Sequence, residues 1–292
     1  MKIALASIFI SLFVSLSVTA RDPYIPSTWT KGWVMANGIR MHYWRTGGDK
    51  PQMLMAHGYS DTGLCWTSIA QELDDRYDII LPDARGFGLT DPPSKDEPVD
   101  VQVEDLAALI KELGLKKPIL MGHSMGSSSV AWFSARYPAV PKAAILVDPR
   151  LVSSGSGFGP RSPEETAKAM ADIIKRNNMT YEALIDGQIK NHPEWGITAL
   201  HFWALSKQLY HPNTAYRSSG DRPSMSELFE KIKCPTLILK ADNQGAEREE
   251  NIKVASILRK GKLVHVEGAG HTVHWDQKER FLAALNPFLK QL

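Results

Sequence analysis

Gly122-His123-Ser124-Met125-Gly126 sets a serine between two glycines, directly after the apolar run Pro118-Ile119-Leu120-Met121 and directly before a helical pattern reaching Tyr137. Strand, sharp turn and helix in that order form the setting of a nucleophile elbow. The turn strains its central residue and lifts the hydroxyl above a sheet. Neighbours two positions away must lack bulk, which accounts for both glycines, and the helix that starts there aims free backbone N–H groups at a developing anion. A serine hydroxyl is a poor nucleophile until a base takes its proton. Gly268-Ala269-Gly270-His271 lies between a late apolar run and a final helical pattern, so His271 is the candidate base. His274, three residues on, is expected to line the pocket or to pack.

The elements that must position these groups follow from the apolar pattern. Trp33 to Ala36 and Ile39 to Tyr43 flank Asn37-Gly38, a dipeptide that favours a tight type I′ hairpin. Short apolar runs then alternate with helical patterns. Met53 to Ala56 precedes a helix near Leu64 to Leu73, and Tyr77 to Leu81 precedes one near Val103 to Leu113. Ala143 to Val147 reads as a further buried strand. Such alternation implies a mostly parallel sheet covered on both faces. From Pro149 to about Cys234 the rhythm stops, and the segment is helical in pattern and rich in aromatics, among them Trp195, Phe202, Trp203 and Tyr210. Strands resume at Thr236 to Leu239 and Lys262 to Val266, before an amphipathic helix from Gln277 to Leu289. The expected division is therefore residues 21–149 and 235–292 as an α/β core, with residues 150–234 as a helical insertion. Gly155-Ser156-Gly157-Phe158-Gly159 joins no strand to a helix, so it reads as a flexible approach to the insertion rather than a nucleotide loop.

Composition excludes several classes. Lys and Arg total 34 against 32 acids, with no dense basic stripe, so nucleic acid is not an expected partner. Two cysteines, Cys65 and Cys234, make neither a disulfide scaffold nor a zinc module, and two unpaired buried thiols are expected. Residues 1–20 run from Met1-Lys2 through an apolar stretch to Val18-Thr19-Ala20, the order of a secretory signal peptide cut after Ala20. A secreted or periplasmic protein with no stable membrane insertion after cleavage is the expectation.

His57-Gly58-Tyr59, Asp83-Ala84-Arg85-Gly86-Phe87-Gly88, the Ser124 elbow and Gly268 to His271 together resemble the α/β-hydrolase superfamily over nearly all of the chain beyond residue 20. The resemblance implies an eight-stranded sheet with a helical cap, a triad in the order serine, acid, histidine, and an oxyanion hole made by the backbone N–H groups of Met125 and Tyr59. It gives the Asp83 to Gly88 segment a structural role. The acid has two candidates. Most relatives place it after the seventh strand, where the usual position falls on Gln244 and Asp242 stands two residues early. Another branch takes it from the end of the sixth strand, where Asp148 follows the serine by twenty-four residues; Asp148 is favoured and Asp242 is the alternative. Haloalkane dehalogenases and epoxide hydrolases of this fold carry aspartate at the nucleophile position, whereas a serine forms an acyl-enzyme. The expected reaction is hydrolysis of a hydrophobic carboxylic ester or lactone, with a small-molecule acyl substrate and no metal or organic cofactor. Trp195, Trp203 and His274 are expected at the substrate. Amide or peptide cleavage, carbon–carbon bond hydrolysis, cofactor-free haloperoxidase chemistry and a non-catalytic binding protein remain the alternatives.

Overall fold

The hairpin at Asn37-Gly38 joins β1 (Thr30–Ala36) to β2 (Ile39–Arg45), and both turn residues have positive φ, 46° and 75°, as a type I′ turn requires. In the computed structural model, which describes residues 22–151, 161–216 and 220–292, six further strands complete one sheet. They are β3 (Gln52–Ala56), β4 (Asp78–Pro82), β5 (Ile119–His123), β6 (Ala143–Val147), β7 (Thr236–Lys240) and β8 (Gly261–His265). Their order is β1-β2-β4-β3-β5-β6-β7-β8. The hairpin and its junction with β4 are antiparallel, and every other pairing is parallel. The expected signal segment and the Gly155 to Gly159 stretch lie outside the described residues.

The central strands are buried on both faces, which explains why they read as continuous apolar runs. Met55, Met121, Ile145 and Leu239 point to one core, and Leu54, Leu120, Leu146 and Ile238 point to the other. Helices α1 (Thr67–Ala70), α2 (Val101–Glu112) and α3 (Met125–Arg136) follow β3, β4 and β5. Between β6 and β7 the described residues form α4 (Pro163–Asn177), α5 (Tyr181–Asn191), α6 (Gly196–Gln208) and α7 (Met225–Phe229). Ser162 opens α4 with a capping box, its hydroxyl accepting from the Glu165 amide while Glu165 accepts from the Ser162 amide. After β7 come α8 (Gly245–Ala255), α9 (Val273–Asp276) and α10 (Lys278–Leu289). No described helix is long and apolar enough to cross a membrane. Cys65 and Cys234 are both buried and free.

Candidate active site

Ser124 stands at the junction of β5 and α3 with φ 50° and ψ −108°, a region that L-residues rarely adopt. The two flanking glycines make that turn possible. A Cβ on Gly122 would lie 2.3 Å from the Gly126 carbonyl oxygen, and one on Gly126 would lie 2.4 Å from the Ala56 carbonyl oxygen. Both obstacles are backbone, so neither position tolerates a side chain without a shift of the elbow.

His271 bridges the serine and one of the two candidate acids. Its Nε2 lies 3.0 Å from Ser124 Oγ, and its Nδ1 lies 2.5 Å from Asp148 Oδ2. An ionised carboxylate only accepts, so Nδ1 carries the proton and Nε2 is the bare nitrogen that receives the serine hydroxyl. The His271 side chain is 60% exposed and Asp148 only 7%, so the pair opens to a ligand on the histidine side alone. The loop of His271 is fastened twice. His123 Nε2 donates to the His271 carbonyl at 3.0 Å, and Asp276 accepts the Gly270 amide at 2.8 Å.

Asp148 follows β6 with φ 43°, and its second oxygen accepts from Lys240 Nζ at 2.6 Å and from the Ala241 amide at 3.0 Å. Burial pushes this carboxyl up, but the hydrogen bond to His271 and the Lys240 charge outweigh it and hold the group below the usual carboxylate range. Asp242 faces elsewhere. Its carboxylate accepts from the Gly268 amide at 3.0 Å and from Gln244 at 2.9 Å, so it orders the loop before His271 without touching the imidazole.

Among the described residues, the backbone N–H groups of Tyr59 and Met125 donate to no protein acceptor. Met125 heads α3, where aligned peptide dipoles add positive potential. The Tyr59 loop is fixed from the core side by His57, whose Nδ1 donates to the Gly58 carbonyl and whose Nε2 accepts the Ala84 amide. Asp83 accepts from Gly63, Leu89 and His42, the structural role expected of its segment.

The aromatic residues divide differently from expectation. Trp195 is buried against Trp275, ring centroids 4.7 Å apart, and its indole N–H donates to Asp276. His274 is buried and stacked on Trp66 beneath His123. Burial lowers the pKa of His274, and it lowers that of His123 to about 4, so both are neutral packing groups at neutral pH. Trp195 and His274 both line a cavity of about 410 Å³, but Ser124 and His271 do not. Trp203 lies 5.1 Å from the ammonium of Lys207 on the same helix. Met125 instead packs on a buried apolar cluster of Phe87, Tyr210, Ala215 and Ile173 of α4, with Tyr59 edge-on to Phe87 at 5.5 Å. Lys240, Lys207 and His123 carried no distinguishing signal in the sequence, since a lysine at a strand or helix end reads as a solvated terminus.

A profile of the alpha/beta hydrolase family matches residues 53–284. The chain is 26% identical over 318 residues to epoxide hydrolase 1 of Caenorhabditis elegans, covering 96% of this chain and 77% of that protein. It is 27% identical over 270 residues to N-formylmaleamate deformylase of Pseudomonas putida, covering 88% and 96%. In three dimensions it is similar to E-2-(acetamidomethylene)succinate hydrolase, with TM-score 0.72, 22% identity, and 90% and 99% of the two chains covered.

Proposed function

The chain belongs to the alpha/beta hydrolase family, and from that premise we propose that this hydrolase cleaves a hydrophobic carboxylic ester or lactone through an acyl-enzyme on Ser124. The observation that carries the reading is the unbroken hydrogen-bond chain from Ser124 Oγ through His271 to Asp148. His271 takes the serine proton as Oγ attacks the carbonyl carbon. The amides of Tyr59 and Met125 hold the tetrahedral oxyanion, each worth about 2.7–4 kcal/mol if judged by its removal. His271 then protonates the departing alcohol and activates water for deacylation, while Asp148 fixes its tautomer and faces the imidazolium. Met125, beside the serine and packed on the apolar cluster of Phe87, Tyr210 and Ile173, together with the exposed Tyr59 ring, supports a hydrophobic acyl group.

Serine at position 124 argues against epoxide opening, although an epoxide hydrolase is among the relatives. Attack of a serine oxygen on an epoxide carbon would leave an alkyl ether, which activated water does not hydrolyse, whereas an acyl ester turns over. Amide cleavage is the second reading, favoured by the deformylase similarity.

Labelling with a fluorophosphonate probe, followed by p-nitrophenyl esters of increasing chain length and the matching anilides, tests the proposal. Ser124 should be the labelled residue and medium-chain esters the faster substrates. Labelling elsewhere, or anilides cleaved as fast as esters, would replace the assignment. From the leader-like pattern of residues 1–20 we propose a mature protein outside the cytoplasm that begins at Arg21; N-terminal sequencing of exported protein checks this.

A further inference from the structure

Lys207 is a buried cation that touches no member of the triad, and its partners go beyond those of an ordinary salt bridge. It lies in the last turn of α6, where a positive charge suits the helix dipole, and is only 3% exposed. All three of its donor directions are used, and all go to two consecutive residues of the loop that carries Tyr59. Nζ donates to the Ser60 carbonyl at 2.8 Å, to Ser60 Oγ at 2.9 Å and to Asp61 Oδ1 at 2.8 Å.

Ser60 has φ 64°, in the left-handed region that a serine does not choose unaided. Grip on both its carbonyl and its hydroxyl by one ammonium holds the backbone there. On the opposite side of the same loop, a Cβ on Gly58 would lie 2.6 Å from His123 Nδ1, so the chain runs tight against the residue that precedes the nucleophile. The Tyr59 amide is therefore set between the elbow and the cap helix.

We propose that Lys207 is a positioning residue: through Ser60 and Asp61 it fixes the Tyr59 N–H that receives the oxyanion, and so makes catalytic competence depend on α6 being seated. Asp61 neutralises the ammonium, so the effect is geometric rather than a long-range field. The proposal rests on the serine-hydrolase reading above. Displacement of α6 would strip a buried ammonium of three acceptors at once, which makes seated and unseated cap discrete alternatives.

Lys207→Met is the first test, with kcat, KM and the Ki of a trifluoromethyl ketone that mimics the tetrahedral adduct. Removing an oxyanion donor outright costs about 10²–10³ in turnover, and a misaligned one less, so a fall in kcat of roughly ten- to a hundred-fold is expected. KM should change by less than about threefold, and the ketone should weaken in step with kcat. Because Lys207→Met strands the Asp61 carboxylate, the double variant Lys207→Met/Asp61→Leu removes both charges and keeps the fold testable. It should melt cooperatively and show the same kcat loss. Wild-type kcat and ketone affinity in the folded double variant would overturn the proposal, because Lys207 would then serve only to neutralise Asp61. Fluorophosphonate labelling of the wild type separates the two levels. Labelled wild type with an unimpaired Lys207→Met variant overturns the positioning role alone; wild type that neither labels nor cleaves esters overturns the serine-hydrolase reading together with it.

Discussion

Changing Asp148 to asparagine should disable the enzyme by reversing one imidazole, and the surroundings of the carboxylate fix which way the amide must sit. One oxygen of Asp148 receives two donors, Lys240 Nζ and the Ala241 amide, and the other faces His271 Nδ1. In Asp148→Asn the amide oxygen must stay with the two donors, since the opposite orientation would press an NH₂ group against an ammonium and an N–H. The NH₂ group then faces His271 and donates to Nδ1. The imidazole proton moves to Nε2 and points at Ser124 Oγ, so no lone pair remains to take the serine proton. The comparable substitution in a chymotrypsin-type protease lowers turnover about 10⁴-fold, or about 5.4 kcal/mol at 1.36 kcal/mol per tenfold. Lys240 also loses its buried counter-ion, so a lower Tm is expected; outright loss of a buried partner costs about 3–5 kcal/mol of stability, and the retained amide oxygen keeps the loss below that range. The assay is kcat on a p-nitrophenyl ester well below the lowered Tm, with Asp242→Asn alongside. Asp242→Asn keeps an oxygen for the Gly268 amide and should cost only a few-fold. A dead Asp242→Asn enzyme beside an Asp148→Asn enzyme with more than about a hundredth of wild-type turnover would refute the reasoning.

Two further outcomes follow from the same site. Asp148 is held below the ordinary carboxylate range, so its working form is present above that range and is lost as pH falls through its folded value. Lys240→Met removes one of the groups that hold it down, so the Asp148 carboxyl should titrate at higher pH in the variant, read from its own carboxyl carbon resonance; an unmoved titration would show that Lys240 does not govern Asp148. Ser124→Gly should abolish turnover yet raise Tm, because relief of a strained non-glycine φ, about 1–3 kcal/mol, exceeds the roughly 0.5–1 kcal/mol entropic cost of glycine. A Tm below that of the wild type would mean that the elbow is not strained.

The sheet was legible because its central strands are buried on both faces and so appear as unbroken apolar runs, and because Asn37-Gly38 admits few other turns. The elbow was legible because its glycines answer to backbone obstacles rather than to side chains. The choice of acid was legible only in part: the spacing from Ser124 favours Asp148, but Asp242 also follows a strand of like composition. What separates them is contact, since Asp148 faces His271 Nδ1 whereas Asp242 is held by the Gly268 amide and Gln244. The burial of Trp195 was missed for another reason, whereas packing was one of the two places expected for His274. Aromatic content marks a residue as large and apolar, but a buried indole N–H usually takes an acceptor, and Trp195 takes Asp276. The apolar cluster behind Met125 gathers Phe87, Ile173 and Tyr210, with Tyr59 against Phe87, from five separate segments, a juxtaposition that no local pattern carries. Helix α8 was missed too: of its residues only Asn251 and Val254 are buried, so it shows no apolar stripe.

Ser124 and Asp148 are not merely placed near the sheet; they are its final rungs. The Ser124 amide donates to the Val147 carbonyl at 2.9 Å, and the Asp148 amide donates to Leu239 at 2.8 Å, each extending a parallel ladder by one bond. His271 has no such anchorage and depends on a loop pinned by His123 and Asp276. Nucleophile and acid are therefore held by the sheet's own ladder, while the base is held by side-chain hydrogen bonds to its loop. Amide hydrogen exchange in mild denaturant is then expected to open the His271 loop before the Ser124 and Asp148 amides.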